Sequence, residues 1–136
     1  MWASINAIFL CLCLLTTLQT EAQSPSDKAA GKETQALYKN LHKLSRKHII
    51  FGHQDDLAYG VNWKYIAGKS YIKEVVNDYP GVSGWDLGRI EYDSLRNIAG
   101  IPFRNLRAYI QAGYATGAVI TLSWHFDNPL TGGSSW

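Results

Sequence analysis

The chain has 136 residues, 46% of them hydrophobic and 18% charged, and its 13 Lys and Arg stand against 11 Asp and Glu for a net charge of +2. So slight a balance, with basic residues scattered at positions such as Lys39, Lys43, Arg46, Lys64, Lys69 and Lys73, makes no basic patch, and no nucleic-acid partner is expected. Both cysteines, Cys11 and Cys13, precede Ala22, so the chain beyond that point has neither a disulfide framework nor a thiolate metal site.

Met1 to Ala22 carries an apolar run from Ala7 to Leu15, a more polar stretch from Thr16 and a small-residue pattern at Thr20-Glu21-Ala22. These are the marks of a secretory signal peptide cleaved near Ala22, and the expected location is secreted or periplasmic. The apolar run is about half of the roughly 20 residues that span a bilayer, so no membrane partner is expected. Met1 to Asn6 lacks the Lys or Arg usual there, and each cysteine follows a Leu where a lipoprotein signal has a small residue; lipid anchoring is not favoured. Cleavage removes Glu21, raises the balance to +3 and leaves about 114 residues, enough for one core.

Residues 23–32 are polar and rich in Ser, Ala, Lys and Gly, a flexible leader. From Thr34, Leu37, Leu41 and Leu44 recur at helical spacing, predicting an amphipathic helix that ends near Lys47. His48 to Gly52 is a short apolar run suited to a buried strand, followed by a loop with Gly60 and Gly68. Ser70 can cap a second helix bearing Ile72, Val75, Val76 and Tyr79, which Pro80 stops. A second strand fits Gly81 to Asp86. After Gly100-Ile101-Pro102 comes a helix with Leu106, Tyr109, Ile110 and Gly113 on one stripe, then Gly117 and a third strand, Ala118 to Trp124.

Strands alternating with helices predict parallel βαβ units. No helix is predicted after Trp124, and three parallel strands with two crossovers would leave an apolar sheet edge open. The expected fold class is therefore α/β, a partial (β/α)8 barrel over residues 33–136 holding about the first three strands and two crossover helices, since a whole barrel takes about 250 residues.

Polar and aromatic residues follow each strand: His53-Gln54-Asp55-Asp56, then Trp85-Asp86, then Trp124-His125 with Asp127-Asn128. Ligands bind at this carboxyl end in parallel α/β folds, although capping of loops would also use such residues. Trp, His, Asp and Asn together suit a sugar: indole faces stack on pyranose C–H groups while carboxylates and amides bond its hydroxyls. The candidates for binding are His53, Trp85, Asp86, Trp124, His125 and Asn128; either tryptophan could equally be a core aromatic. His53-Gln54-Asp55-Asp56 also resembles the start of a zinc deacetylase site, but such a site needs two further histidines and only His125 lies at a strand end, so no metal or other cofactor is expected.

Phe51-Gly52-His53-Gln54-Asp55 with Tyr59-Gly60, Tyr79-Pro80 with Gly84-Trp85-Asp86, and above all Leu122-Ser123-Trp124-His125-Phe126-Asp127-Asn128-Pro129 resemble the first three strand ends of glycoside hydrolase family 26, particularly its bacterial endo-β-1,4-mannanases. The resemblance covers the chain from the first helix to Trp136, and its third motif is the specific one. It implies an eight-stranded barrel, monomeric when whole, that hydrolyses β-1,4-mannosidic bonds in mannan, glucomannan or galactomannan with retention, using two carboxyl groups about 5–5.5 Å apart. In the family these are glutamates after the fourth and seventh strands, so no catalytic residue is expected in this chain, which would be a truncated form without hydrolytic activity. The resemblance casts Asp55, Asp56 and Asp86 as support for the cleft and His125 as a residue facing the sugar. Other members act on β-1,3-xylan or mixed-linkage β-glucan, and a non-catalytic glycan-binding remnant is the alternative outside enzymes.

Overall fold

A computed structural model describes residues 24–133; the expected signal peptide, Met1 to Ala22, and the last residues, 134–136, lie outside the described residues. The chain divides into two compact units after Ile49. In the first, the Asp27 side chain accepts from Ala29 N at 2.8 Å, so the expected leader ends in a tight turn. Helix α1, Lys32–Ser45, follows; its stripe of Leu37 and Leu44 is exposed, and none of its residues is buried. His48 N bonds to Leu44 O at 2.8 Å and so belongs to the end of this helix.

The second unit opens with β1, Gly52–Gln54, not with the strand expected at His48 to Gly52. Ile49 is 99% exposed, and the ladder begins only where Val82 N donates to Phe51 O. Strand propensity at Ile49-Ile50 marked the neighbourhood, but the pairing partner set the limits. The loop that follows folds back on itself as an antiparallel ribbon of β2, Tyr59–Gly60, and β3, Trp63–Lys64. Trp63 anchors this ribbon: its indole is buried and donates to Glu74 Oε2 at 2.6 Å.

Glu74 lies in α2, Tyr71–Val76, whose first turn is capped by Ser70 accepting from Lys73 N at 3.0 Å. The helix stops at Asn77, which adopts a left-handed conformation at φ 59°, so termination precedes the expected stop at Pro80. Strand β4, Val82–Asp86, comes next, then a 3-10 turn at Ile90–Tyr92, α3 at Phe103–Ala115, and β5 at Val119–Ser123. The sheet order is β1-β4-β5, all parallel, with Gly52 opposite Val82 and Val82 opposite Val119. Two helices link three parallel strands, as predicted.

Alternation along β4 sorts its side chains by face. Ser83 and Trp85 turn to α3: Ser83 lies against Gly113, where a Cβ would sit 3.1 Å from its hydroxyl, and the Trp85 ring stacks on Tyr109 at 5.4 Å and 6°. Trp85, Leu57, Ala58, Ile101 and Leu106 form the buried cluster, with Tyr79, Phe103, Ile110 and Ile120 packed around it. Gly84 and Asp86 turn to the opposite face, with Gln54 and Thr121 flanking Gly84. The core therefore lies between the sheet and α3, and the other face carries the polar ends.

Candidate functional site

Asp86 ends β4 opposite Ser123, the last residue of β5. Asp86 is 4% exposed, so burial acts to raise its pKa; three donors overcome that effect and hold it below the ordinary carboxylate range. Gly88 N–H donates to Oδ1 at 2.6 Å, Ser123 Oγ to Oδ2 at 2.8 Å, and His125 Nδ1 also meets Oδ2. Position 88 must be glycine for this closeness, because a Cβ there would lie 2.9 Å from both Asp86 Oδ1 and the His125 carbonyl oxygen.

A residue that no motif marks fixes the backbone beneath. Asn97 is fully buried; its amide donates to Asp86 O at 2.9 Å and accepts from Ile101 N at 2.8 Å. It ties the loop after β4 to the strand end. Its signal in the sequence is an unremarkable Asn in a loop, a residue type usually spent on local turns, so only the packed structure reveals the task.

Beyond Ser123 the chain leaves the sheet and exposes an aromatic rim. Trp124 is 51% exposed, meets Phe126 edge-on at 5.6 Å, and donates from its indole to Glu91 Oε2 at 3.1 Å. Glu91 Oε1 accepts from Asp127 N at 3.3 Å, and Tyr92 OH donates to Asp127 Oδ2 at 2.8 Å. The 3-10 turn after β4 thus braces the loop after β5. Asn128 turns that loop, its side-chain oxygen accepting from Leu130 N at 2.9 Å. Trp124, Phe126 and Asn128, with Glu91 and Tyr92 behind, line a groove of about 380 Å³. His125 shares the neighbouring hollow of about 400 Å³ with Trp124 and Asn128.

Three of the six residues singled out from the sequence are thereby gathered on one rim, Trp124, His125 and Asn128, with Asp86 holding His125 from below. Two are elsewhere. Trp85 is fully buried against Tyr109, a core residue with no face to offer a ligand. His53 pairs with Ser83 in register and so turns to the helix face, where its ring packs on Tyr71 at 5.3 Å. It borders a separate hollow of about 340 Å³ with Tyr59, Gly60, Val61 and Tyr71. A strand reverses its side chains at every residue, which is why proximity to a strand end did not place either residue on the rim.

The carboxylates after β1 are also engaged in the fold. Asp56 Oδ1 accepts from Ile72 N at 2.9 Å, a second cap on α2 supplied from a distant loop. Asp55, in left-handed conformation at φ 59°, is pushed up to about 6, chiefly by burial, with the Tyr59 hydrogen bond opposing and the Asp86 charge adding. Among the described residues no cluster of three or more His, Cys, Asp or Glu is arranged to hold a metal ion, and no helix is long and apolar enough to cross a membrane.

Comparison with known proteins places this geometry. A family model for glycosyl hydrolase family 26 matches residues 26–136. A mannan endo-1,4-beta-mannosidase of Bifidobacterium adolescentis is 33% identical over 112 residues, which are 79% of this chain and 11% of that protein. A GH26 beta-mannanase of Bacteroides ovatus superimposes with a TM-score of 0.73 at 48% identity, over 79% of this chain and 31% of that one. A double mutant of a Cellulomonas fimi endo-beta-1,4-mannanase gives 0.66 at 30% identity, over 82% and 26%. These superpositions bear out the expected fold class, part of a (β/α)8 barrel, and the chain spans less than a third of the length of each relative.

Proposed function

Because the chain belongs to glycosyl hydrolase family 26, we propose that it is part of a secreted endo-β-1,4-mannanase and that its carboxyl-end rim binds β-mannan. The observation that carries the reading is the convergence of an exposed Trp124 and a carboxylate-held His125 on one hollow at the strand ends. An indole offers a flat apolar face to a pyranose, and an imidazole offers a directional partner to a hydroxyl. Two relatives of known structure are named as mannanases, which favours β-1,4-linked mannose over other β-glycans.

Retaining hydrolysis needs a proton donor and a nucleophile about 5–5.5 Å apart. The glutamates among the described residues serve otherwise: Glu33 lies in α1, Glu74 pairs with Lys69 and Trp63, and Glu91 holds Trp124 and the Asp127 N–H. Asp86 and Asp56 are spent on donors of the fold itself. We therefore assign substrate binding, and neither the acid nor the nucleophile, to the described residues. Export rests on the leader at Met1 to Ala22.

Affinity electrophoresis of the purified chain in galactomannan tests the binding reading. Retarded migration, reduced by Trp124→Ala, is expected, with no reducing sugar released. Equal retardation in β-1,3-xylan or mixed-linkage glucan would move the substrate assignment, and turnover of galactomannan by the chain alone would overturn the division of labour.

A further inference from the structure

We propose that Asp86 is a positioning residue that fixes the tautomer of His125, with Nδ1–H donated to the carboxylate and Nε2 left as the acceptor nitrogen. An ionised carboxylate has no hydrogen to give, so the ring nitrogen that faces it must carry one. Three donors meet the carboxylate: Gly88 N–H on Oδ1, Ser123 Oγ and His125 Nδ1 on Oδ2. Its backbone is pinned in turn by Asn97 through the carbonyl of Asp86. Asp86 itself is buried at 4% exposure while His125 reaches the surface, and the same three donors hold the carboxyl ionised at neutral pH.

The consequence is chemical selectivity at the rim. With Nδ1 committed, His125 meets a partner through an acceptor, which suits a hydroxyl that donates its proton. This consequence rests on the glycan reading above; the tautomer does not. Ser123 and Gly88 act one step back, holding the carboxylate that holds His125.

Long-range proton–nitrogen NMR spectra of the 136-residue chain at pH ~8, above the ordinary imidazole range, read the tautomer directly, with His125→Gln assigning the signals among the 4 histidines. The expected result is a protonated Nδ1 and a bare Nε2. In Asp86→Asn the Gly88 N–H still requires an oxygen, so the amide must present its NH2 to Nδ1, and the proton is expected to move to Nε2. A wild-type proton on Nε2, an averaged pair of tautomers, or an unchanged Asp86→Asn would each overturn the proposal. Should Asp86→Asn lose its fold, Ser123→Ala keeps the test open: an unchanged tautomer supports Asp86 as the determinant, and a switched one removes it.

Titration with mannohexaose separates this inference from the function on which its consequence depends. Asp86→Asn is expected to bind about tenfold more weakly than the wild type, the loss of one hydrogen bond to a mispresented donor. A wild-type chain with the stated tautomer and no response to mannohexaose would end the glycan reading and leave the tautomer assignment standing.

Discussion

The polar cluster after β1 and the one shared by β4 and β5 read alike in one dimension, yet the folded chain employs them differently. After β1, His53 packs on Tyr71, Asp56 caps α2 from outside it, and Asp55 is buried against Tyr59. After β4 and β5, Asp86 is buried so that His125 can be held at the surface, and Glu91 braces an exposed Trp124. The first cluster builds the scaffold and the second presents a rim. Composition at a strand end thus indicates that something polar is satisfied there; which face the side chain leaves by decides whether it meets a ligand.

The two tryptophans break the comparison most sharply. Trp85→Ala removes a stacked, fully buried indole and is expected to cost about 3–5 kcal/mol of stability, whereas Trp124→Ala is expected to cost about 1 kcal/mol or less and to lose most of the affinity for mannan. Chemical denaturation of both variants, beside gels containing galactomannan, checks the contrast. Similar losses of stability in the two would erase the distinction between core and rim.

The carboxylates sharpen it through pH. Asp55 holds its proton up to about 6 in the folded chain, against an ordinary value of 3.8. Unfolding between those values releases a proton, so this group's contribution is full below 3.8 and fades as pH rises through about 6, by up to about 3 kcal/mol. Asp86 runs the other way: its pKa is lowered on folding, and its contribution is lost as pH falls. Melting Asp55→Asn beside the wild type from pH 4 to 7, the window set by about 6 against 3.8, should show the variant gaining relative stability as pH rises. A constant difference would assign Asp55 an ordinary pKa.

The smallest effect concerns the cap. Asp56→Ala removes the acceptor for Ile72 N while Ser70 still serves Lys73 N, and is expected to cost about 1 kcal/mol without changing mannan affinity. A loss of affinity comparable to that of Trp124→Ala would return the β1 cluster to the binding site.

Much of the fold was legible because periodicity and punctuation report local geometry. The sequence marks Ser70 as a cap, and it is one; it sets Leu106 and Gly113 on one stripe, and they are the buried residues of α3; the third strand it predicts, Ala118 to Trp124, is one residue too long at each end. The misreadings share a cause. The apolar run at Ile49-Ile50 predicts the first strand too early, because strand limits are set by hydrogen-bonded partners distant in sequence, and the ladder starts at Phe51. The ribbon at Tyr59–Lys64 went unseen because two-residue strands have too short a period to register.

What the sequence alone determined is the alternation of strands and helices, the polar enrichment at the carboxyl ends, and the resemblance that family membership now supports. Tertiary structure alone decided which of those polar residues share a face. Trp85 and Asp86 are neighbours in the chain and lie on opposite sides of the sheet, while Asp86 and His125, 39 residues apart, are hydrogen-bonded. The reason is geometric: a pleat turns successive side chains half a revolution apart, and parallel pairing carries distant strand ends to the same edge.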